Sequence, residues 1–212
     1  MIASVNVDMD TLNDYAYTYG KNYAKFPDPI YTIALPRLLK LLDKHKIKAT
    51  FFVIGRDLNI NEHYKAIKNI QKKGHEIANH TQSHLHNFER LSFKKQRDEI
   101  INCHQLVKKR LGLSMVGFRS PGYNLNKGTF KVLSSLNYLY DSSSFPTSLL
   151  PLLKLAIIVK SKGNHKSTGG GDIKNIFSKT SVYSIEGHNL LEIPITVTPI
   201  LRLPFMGTFN VI

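Results

Sequence analysis

Gly74-His75-Glu76-Ile77-Ala78-Asn79-His80-Thr81-Gln82-Ser83-His84 is the stretch whose reading decides the rest of the chain. Residues 76–79 read as a short strand that runs straight into two histidines four positions apart. A helical turn would place residues i and i+4 on one face, so both imidazoles could reach a single ion. Neutral imidazole is a common ligand for zinc and related divalent metals. The competing reading makes His80 and His84 ordinary surface or loop residues in a chain with 9 histidines.

Outward from that strand, strands and helices alternate. Upstream lie a strand at 2–8, a loop rich in Tyr, Asn and Pro, and a helix carrying Leu35, Leu38, Leu39, Leu41 and Leu42 to about Lys46. A strand at 49–54 and a helix near 61–73 follow. Downstream come a long helix over 92–111, a strand at 116–119, a helix near 127–135 and a strand at 137–140. This βαβα rhythm implies a parallel sheet. The histidines then fall at the C-terminal end of a strand, where α/β barrels place their active sites. Leu149 to Val159 is the most apolar run, interrupted by Pro151 and Lys154, and reads as a short buried or interfacial segment. Residues 160–172, with Gly169-Gly170-Gly171, read as a flexible loop, and 173–212 as β-rich with proline breaks.

Two further segments carry chemistry. Val7-Asp8-Met9-Asp10 ends the first strand, and alternation on a strand projects Asp8 and Asp10 to the same side. One carboxylate could bind a cation while the other accepts a proton from water; alternatively both simply open a solvated loop. In Gly117-Phe118-Arg119-Ser120-Pro121-Gly122-Tyr123, Arg119 is a permanent cation able to pair with a carboxylate, and the Pro-Gly step makes a turn. A structural turn with a surface arginine is the plainer alternative.

In order and content, these three segments resemble the polysaccharide deacetylase (NodB-homology) family, carbohydrate esterase family 4. That family has an acidic motif at a strand end, then H-[ST]-x-x-H, then R-x-P with a nearby Tyr. Lys48-Ala49-Thr50-Phe51-Phe52-Val53-Ile54-Gly55 is similar to its second strand, and Tyr140-Asp141-Ser142-Ser143 to a segment after the third motif. The resemblance covers most of residues 2–150 and returns faintly at Leu191-Glu192-Ile193-Pro194. It implies a distorted (β/α) barrel of about seven strands, a single catalytic domain over 1–212, and hydrolytic removal of N-acetyl groups from a glycan. In that reading Asp10, His80 and His84 hold one divalent metal, zinc by ligand type, with cobalt, iron or nickel also fitting. Asp8 acts as base, Arg119 orients it, and a backbone N–H near Tyr123 stabilises the oxyanion.

Three departures from the family pattern stand out. The acidic motif is D-x-D, a variant the family also contains, some of whose members act on non-sugar linear or cyclic amides. Gly122 separates Pro121 from Tyr123. The closing L-x-H motif, whose histidine supplies the general acid, has no counterpart after His188. Either the sequence stops short of it, or the protein is a non-catalytic glycan-binding relative.

Composition narrows the field. With 212 residues, 42% of them hydrophobic, the chain is expected to fold around a sizeable core. Cys103 is the single cysteine, so no internal disulfide forms, and its place in a helix marks it as a small core or interface residue. The net charge of +14 invites anionic partners, yet its lysines sit at helix ends and loops without a nucleic-acid motif. Nucleic acid is therefore not an expected partner. No run reaches the roughly 18–20 apolar residues of a membrane span, and no signal peptide is recognisable. A cytoplasmic location is the corresponding expectation. Oligomeric state is not legible.

Overall fold

The structure is a computed structural model that describes residues 4–18, 28–160 and 176–206. Seven strands, β1 (Val5–Asp8), β2 (Ala49–Val53), β3 (Glu76–Asn79), β4 (Gly117–Phe118), β5 (Tyr140–Asp141), β6 (Tyr183–Ser184) and β7 (Leu191–Glu192), form one sheet. Its order is β1-β2-β3-β4-β5-β7-β6. Every neighbouring pair is parallel except β6 with β7. The helices are α1 (Leu12–Thr18), α2 (Leu35–Lys44), α3 (Asn61–Lys72), α4 (Phe93–Leu111), α5 (Lys127–Ser135) and α6 (Leu150–Lys160).

β2 shows why the sheet forms. All five residues of Ala-Thr-Phe-Phe-Val are buried, as expected of a parallel strand covered on both faces. α4 packs its stripe of Gln96, Glu99, Ile100, Cys103 and Val107 inward at helical spacing. Its ends carry their own signals. The Ser92 side chain accepts from Lys95 N, and Gly112 closes the helix at φ 70°. α5 begins with a capping box between Asn126 and Thr129.

One regularity positions the chemistry. Past the C-terminal ends of β1, β3, β4, β5 and β7, the next backbone amide still donates to the neighbouring strand. Met9 N bonds to Phe52 O at 3.0 Å, His80 N to Val53 O at 2.9 Å and Arg119 N to Asn79 O at 3.0 Å. Ser142 N bonds to Phe118 O at 2.9 Å and Ile193 N to Asp141 O at 2.8 Å. Residues just beyond the strands are thus fixed along one edge of the sheet.

Several expectations change. The segment after β1 is not wholly a loop: α1 occupies Leu12–Thr18, and a π-helical turn at Ile30–Ala34 leads into α2. The run 149–159 is helix α6, and Leu152, Leu155, Ile158 and Val159 are exposed on it. β4 and β5 are two residues each, shorter than the sequence pattern suggests. Among the described residues after 176, β6, β7 and an isolated bridge between Val197 and Pro204 are the strand structure. The glycine-rich stretch near 160–172 and Tyr19 and Tyr23 lie outside the described residues, while Tyr15 on α1 is exposed.

Candidate metal centre

Asp10, His80 and His84 converge. One potential ligand atom from each lies within 4.8 Å of the others. Asp10 Oδ1 stands 3.2 Å from Nε2 of both histidines. Neither contact has hydrogen-bond geometry, so Asp10 Oδ1 and His84 Nε2 are buried without a hydrogen-bond partner. Buried polar atoms of this kind call for a partner. An acidic oxygen and two imidazole nitrogens are the donor set a borderline divalent ion takes, so the residues fit such an ion. Burial pushes the Asp10 carboxyl up, but the adjacent His84 and His80 outweigh it and hold it well below the usual carboxylate range. Asp10 is therefore ionised and ready to ligate. His84 is raised: burial opposes its charge, and Asp10 and then Asp14 favour it.

The convergence is not made by a helical turn. Residues 80–84 form an irregular loop in which Thr81 (φ 68°) and His84 (φ 50°) adopt left-handed backbone. For a β-branched residue this conformation is costly and must be held by its surroundings. The holders are visible. Asn79, fully buried, accepts Thr81 N on Oδ1 at 2.7 Å while its Nδ2 donates to Ile100 O and Tyr138 OH. Thr81 Oγ1 accepts His84 N at 3.1 Å. Gly55 N and Arg56 N donate to Thr81 O and Gln82 O. His80 Nδ1 lies 2.7 Å from Arg119 O, which makes it the protonated nitrogen and leaves Nε2 for an ion.

Asp8 and Asp10 project together while Met9 between them is buried in the core, as strand alternation requires. Arg119 is buried and uses its whole fork: Nη1 donates to Asp8 Oδ1 at 2.7 Å, Nε to Ser142 O at 2.8 Å and Nη2 to Ser142 Oγ at 2.7 Å. It also lies 4.1 Å over the Phe52 ring. Tyr123 OH donates to Asp8 Oδ2 at 3.2 Å. The expectation of a free backbone donor at Tyr123 is corrected. Its N–H bonds to Ser120 O at 3.0 Å, and Asn124 N bonds to Pro121 O, because Gly122 and Tyr123 both turn at φ 62°. The inserted glycine closes a tight turn that consumes these amides and aims the phenol, not the backbone, at Asp8.

Comparison with known proteins agrees with this geometry. The family profile described as polysaccharide deacetylase matches residues 22–140, more than half of the chain. The chain belongs to the polysaccharide deacetylase family. It is 36% identical over 112 residues to a peptidoglycan-N-acetylglucosamine deacetylase of Bacillus cereus, covering 53% of this chain and 49% of that protein. The chain spans about half the length of the curated relatives it matches first. A crystal structure of a Mycobacterium smegmatis protein superposes with a TM-score of 0.65 at 21% identity, covering 91% of this chain and 58% of that one. A family 4 carbohydrate esterase pseudoenzyme from Bacillus anthracis superposes at 0.51 and 18% identity, covering 91% and 55%. Both likenesses concern the polysaccharide deacetylase fold alone. Deacetylases of this family are generally metal-dependent.

Two other histidines, His75 and His188, have structural tasks. His75 Nδ1 accepts Ala49 N at 3.2 Å, at the turn between α3 and β3. His188 pairs with Ser134 Oγ on α5 at 3.0 Å and faces the Phe130 ring. The His86 ring meets that of His84 edge-on at 5.7 Å. Cys103 is fully buried on α4 against Val53 O, and burial pushes its thiol far up, so it is inert.

Three residues near the site escape the sequence reading. Asp14 and Arg56 form an ion pair beside His84. Glu192 sits in register with Asp141 behind Arg119. Only the spacing Asp10-x-x-x-Asp14, one helical turn, could have suggested Asp14 from sequence.

Proposed function

We propose that this chain is a metal-dependent hydrolase that removes N-acetyl groups from an amino-sugar polymer or glycoconjugate. The observation that carries the reading is one cluster in which Asp10, His80 and His84 form a three-atom ligand set, with a second carboxylate, Asp8, held by Arg119. Because the fold also occurs in a pseudoenzyme, the case for catalysis rests on these side chains.

Asp10, His80 and His84 would hold the ion, with zinc favoured by the ligand type and cobalt, iron or nickel compatible. A divalent ion there supplies Lewis acidity towards water and the acetamide carbonyl. Asp8 would take the proton of the attacking water and return it to the leaving amine as the C–N bond breaks. Its Oδ1 is occupied by the Arg119 guanidinium, so Oδ2, which meets only the longer Tyr123 bond, is the oxygen that accepts it. Arg119 fixes the carboxylate's direction. Tyr123 OH, which donates to Asp8 Oδ2, is a candidate donor to the charge that develops on the substrate. The substrate class follows the family and the B. cereus relative, whose name gives peptidoglycan N-acetylglucosamine.

The D-x-D spacing favours one alternative, a hydrolase of non-sugar linear or cyclic amides with the same ligands. A single assay separates them. The zinc-loaded chain is offered an acetylated amino-sugar oligomer and, in parallel, a panel of small amides, and free amine is measured. Amine release from the oligomer that drops to background in Asp10→Ala and His80→Ala is the expected result. Release that persists in both variants refutes the assignment.

A further inference from the structure

We propose that Asp14, clamped by Arg56, holds the far nitrogen of His84 and so sets how that ring presents itself to the ion. The inference rests on the metal reading above and adds two residues to it.

The two ligand histidines are not supported alike. His80 has its Nδ1 fixed by the Arg119 carbonyl. His84 Nδ1 is buried and makes no hydrogen bond, and it faces Asp14 Oδ1 at 3.8 Å. Asp14 is itself buried and rigidly held. Its Oδ2 accepts Thr11 N at 3.1 Å and Thr11 Oγ1 at 2.7 Å, while Oδ1 is paired with Arg56 Nη2. A carboxylate so constrained is a fixed wall rather than a mobile counter-ion. The other neighbours of His84 include the Asp10 carboxylate on its opposite nitrogen, the Arg56 cation, and the His80 and His86 rings at 4.9 and 5.7 Å.

Arg56 ties this arrangement to the loop. Its Nη1 donates to Ser83 O at 2.7 Å and its backbone N to Gln82 O at 2.8 Å. One side chain therefore grips both the carboxylate on α1 and the backbone immediately before His84. It also neutralises Asp14, so the buried carboxylate is not left unpaired. Metal-ligating histidines commonly donate their other N–H to a carboxylate, which fixes the tautomer and raises ligand basicity; losing that partner typically costs 10–100-fold in metal affinity. His84, with its left-handed backbone, needs such a partner more than His80, whose ring is anchored on the sheet edge.

The test is a zinc competition titration of the full chain against a chromophoric chelator, with imidazole 15N spectra of the loaded protein. Asp14→Asn is expected to weaken zinc about 10- to 100-fold. In wild type, His84 should carry its proton on Nδ1, and that proton should exchange faster in Asp14→Asn. Affinity within twofold of wild type, or a wild-type His84 protonated on Nε2, overturns the proposal. The wild-type tautomer decides even where Asp14→Asn does not fold. A wild-type chain that binds no zinc refutes the metal reading itself, whereas tight wild-type binding that Asp14→Asn leaves intact refutes only the role given to Asp14.

Discussion

Arg119 spends three donors on two partners from different strands' ends, Asp8 at the end of β1 and Ser142 just after β5. A lysine offers one compact charge in place of that planar fork, so it cannot serve both. Hydrogen bonds to charged groups contribute about 1.5–3 kcal/mol each. Losing the Asp8 contact should therefore lower kcat/KM of Arg119→Lys by about 10- to 100-fold, measurable by amine release, with the metal still bound. Behind Arg119, burial and then the neighbouring Asp141 push Glu192 well above its ordinary 4.5. Asp141 is also raised, chiefly by burial. Below pH 4.5 the folded and unfolded chains both carry the Glu192 proton. Above it the unfolded chain releases its proton first, so stability is lost as pH rises through the raised value. Glu192→Gln, which mimics the protonated acid, should flatten that decline in a series of Tm measurements from pH 5 to 8. Superimposable Tm–pH curves would contradict the assignment. His80, His84, Asp8, Asp10 and Arg119 were legible because residue type and spacing carry their chemistry. Asp14, Arg56 and Glu192 were not, because each acts through contacts 42 or more positions away or through a strand register that sequence does not print.

The loop 80–84 shows where element-level reading stops. Its spacing suggested a helical turn, yet the histidines meet because Thr81 and His84 take left-handed backbone that no glycine announces. Those angles are imposed by Asn79, Gly55 and Arg56, all outside the motif. Gly55 matters sterically as well. A Cβ there would lie 2.3 Å from Gln82 Oε1 and 3.1 Å from the Cys103 Cα on α4. The glutamine can swing aside but the helix backbone cannot. Gly55→Ala should thus cost about 1–3 kcal/mol in denaturant unfolding and weaken zinc binding by shifting the loop; an unchanged midpoint would show that α4 yields. Elsewhere the helix and strand periods worked: β3 and α5 fall where the pattern puts them. α6 was missed because Pro151 and Lys154 looked like breaks. Pro151 sits in the helix's first turn, where its missing N–H costs nothing. α1 was missed because its short Asn- and Tyr-containing sequence shows no apolar period.

At the scale of the molecule, one sheet edge gathers residues 8, 80, 119, 141 and 192, spread over most of the chain. The parallel βα order was legible from alternating patterns, and with it the edge on which chemistry would lie. The antiparallel β6 and the exposed apolar face of α6 were not, since both depend on packing partners rather than on local sequence. No helix among the described residues is long and apolar enough to cross a membrane. An ion held only by the folded cleft stabilises it by mass action, so metal content and stability should move together. The most direct test of the account is metal stoichiometry after dialysis against limiting zinc. One equivalent per chain is predicted for wild type, with less than about a tenth in Asp10→Ala and in His80→Ala, as expected when one of only three ligands is lost. Full occupancy in either variant would contradict a centre built from Asp10, His80 and His84.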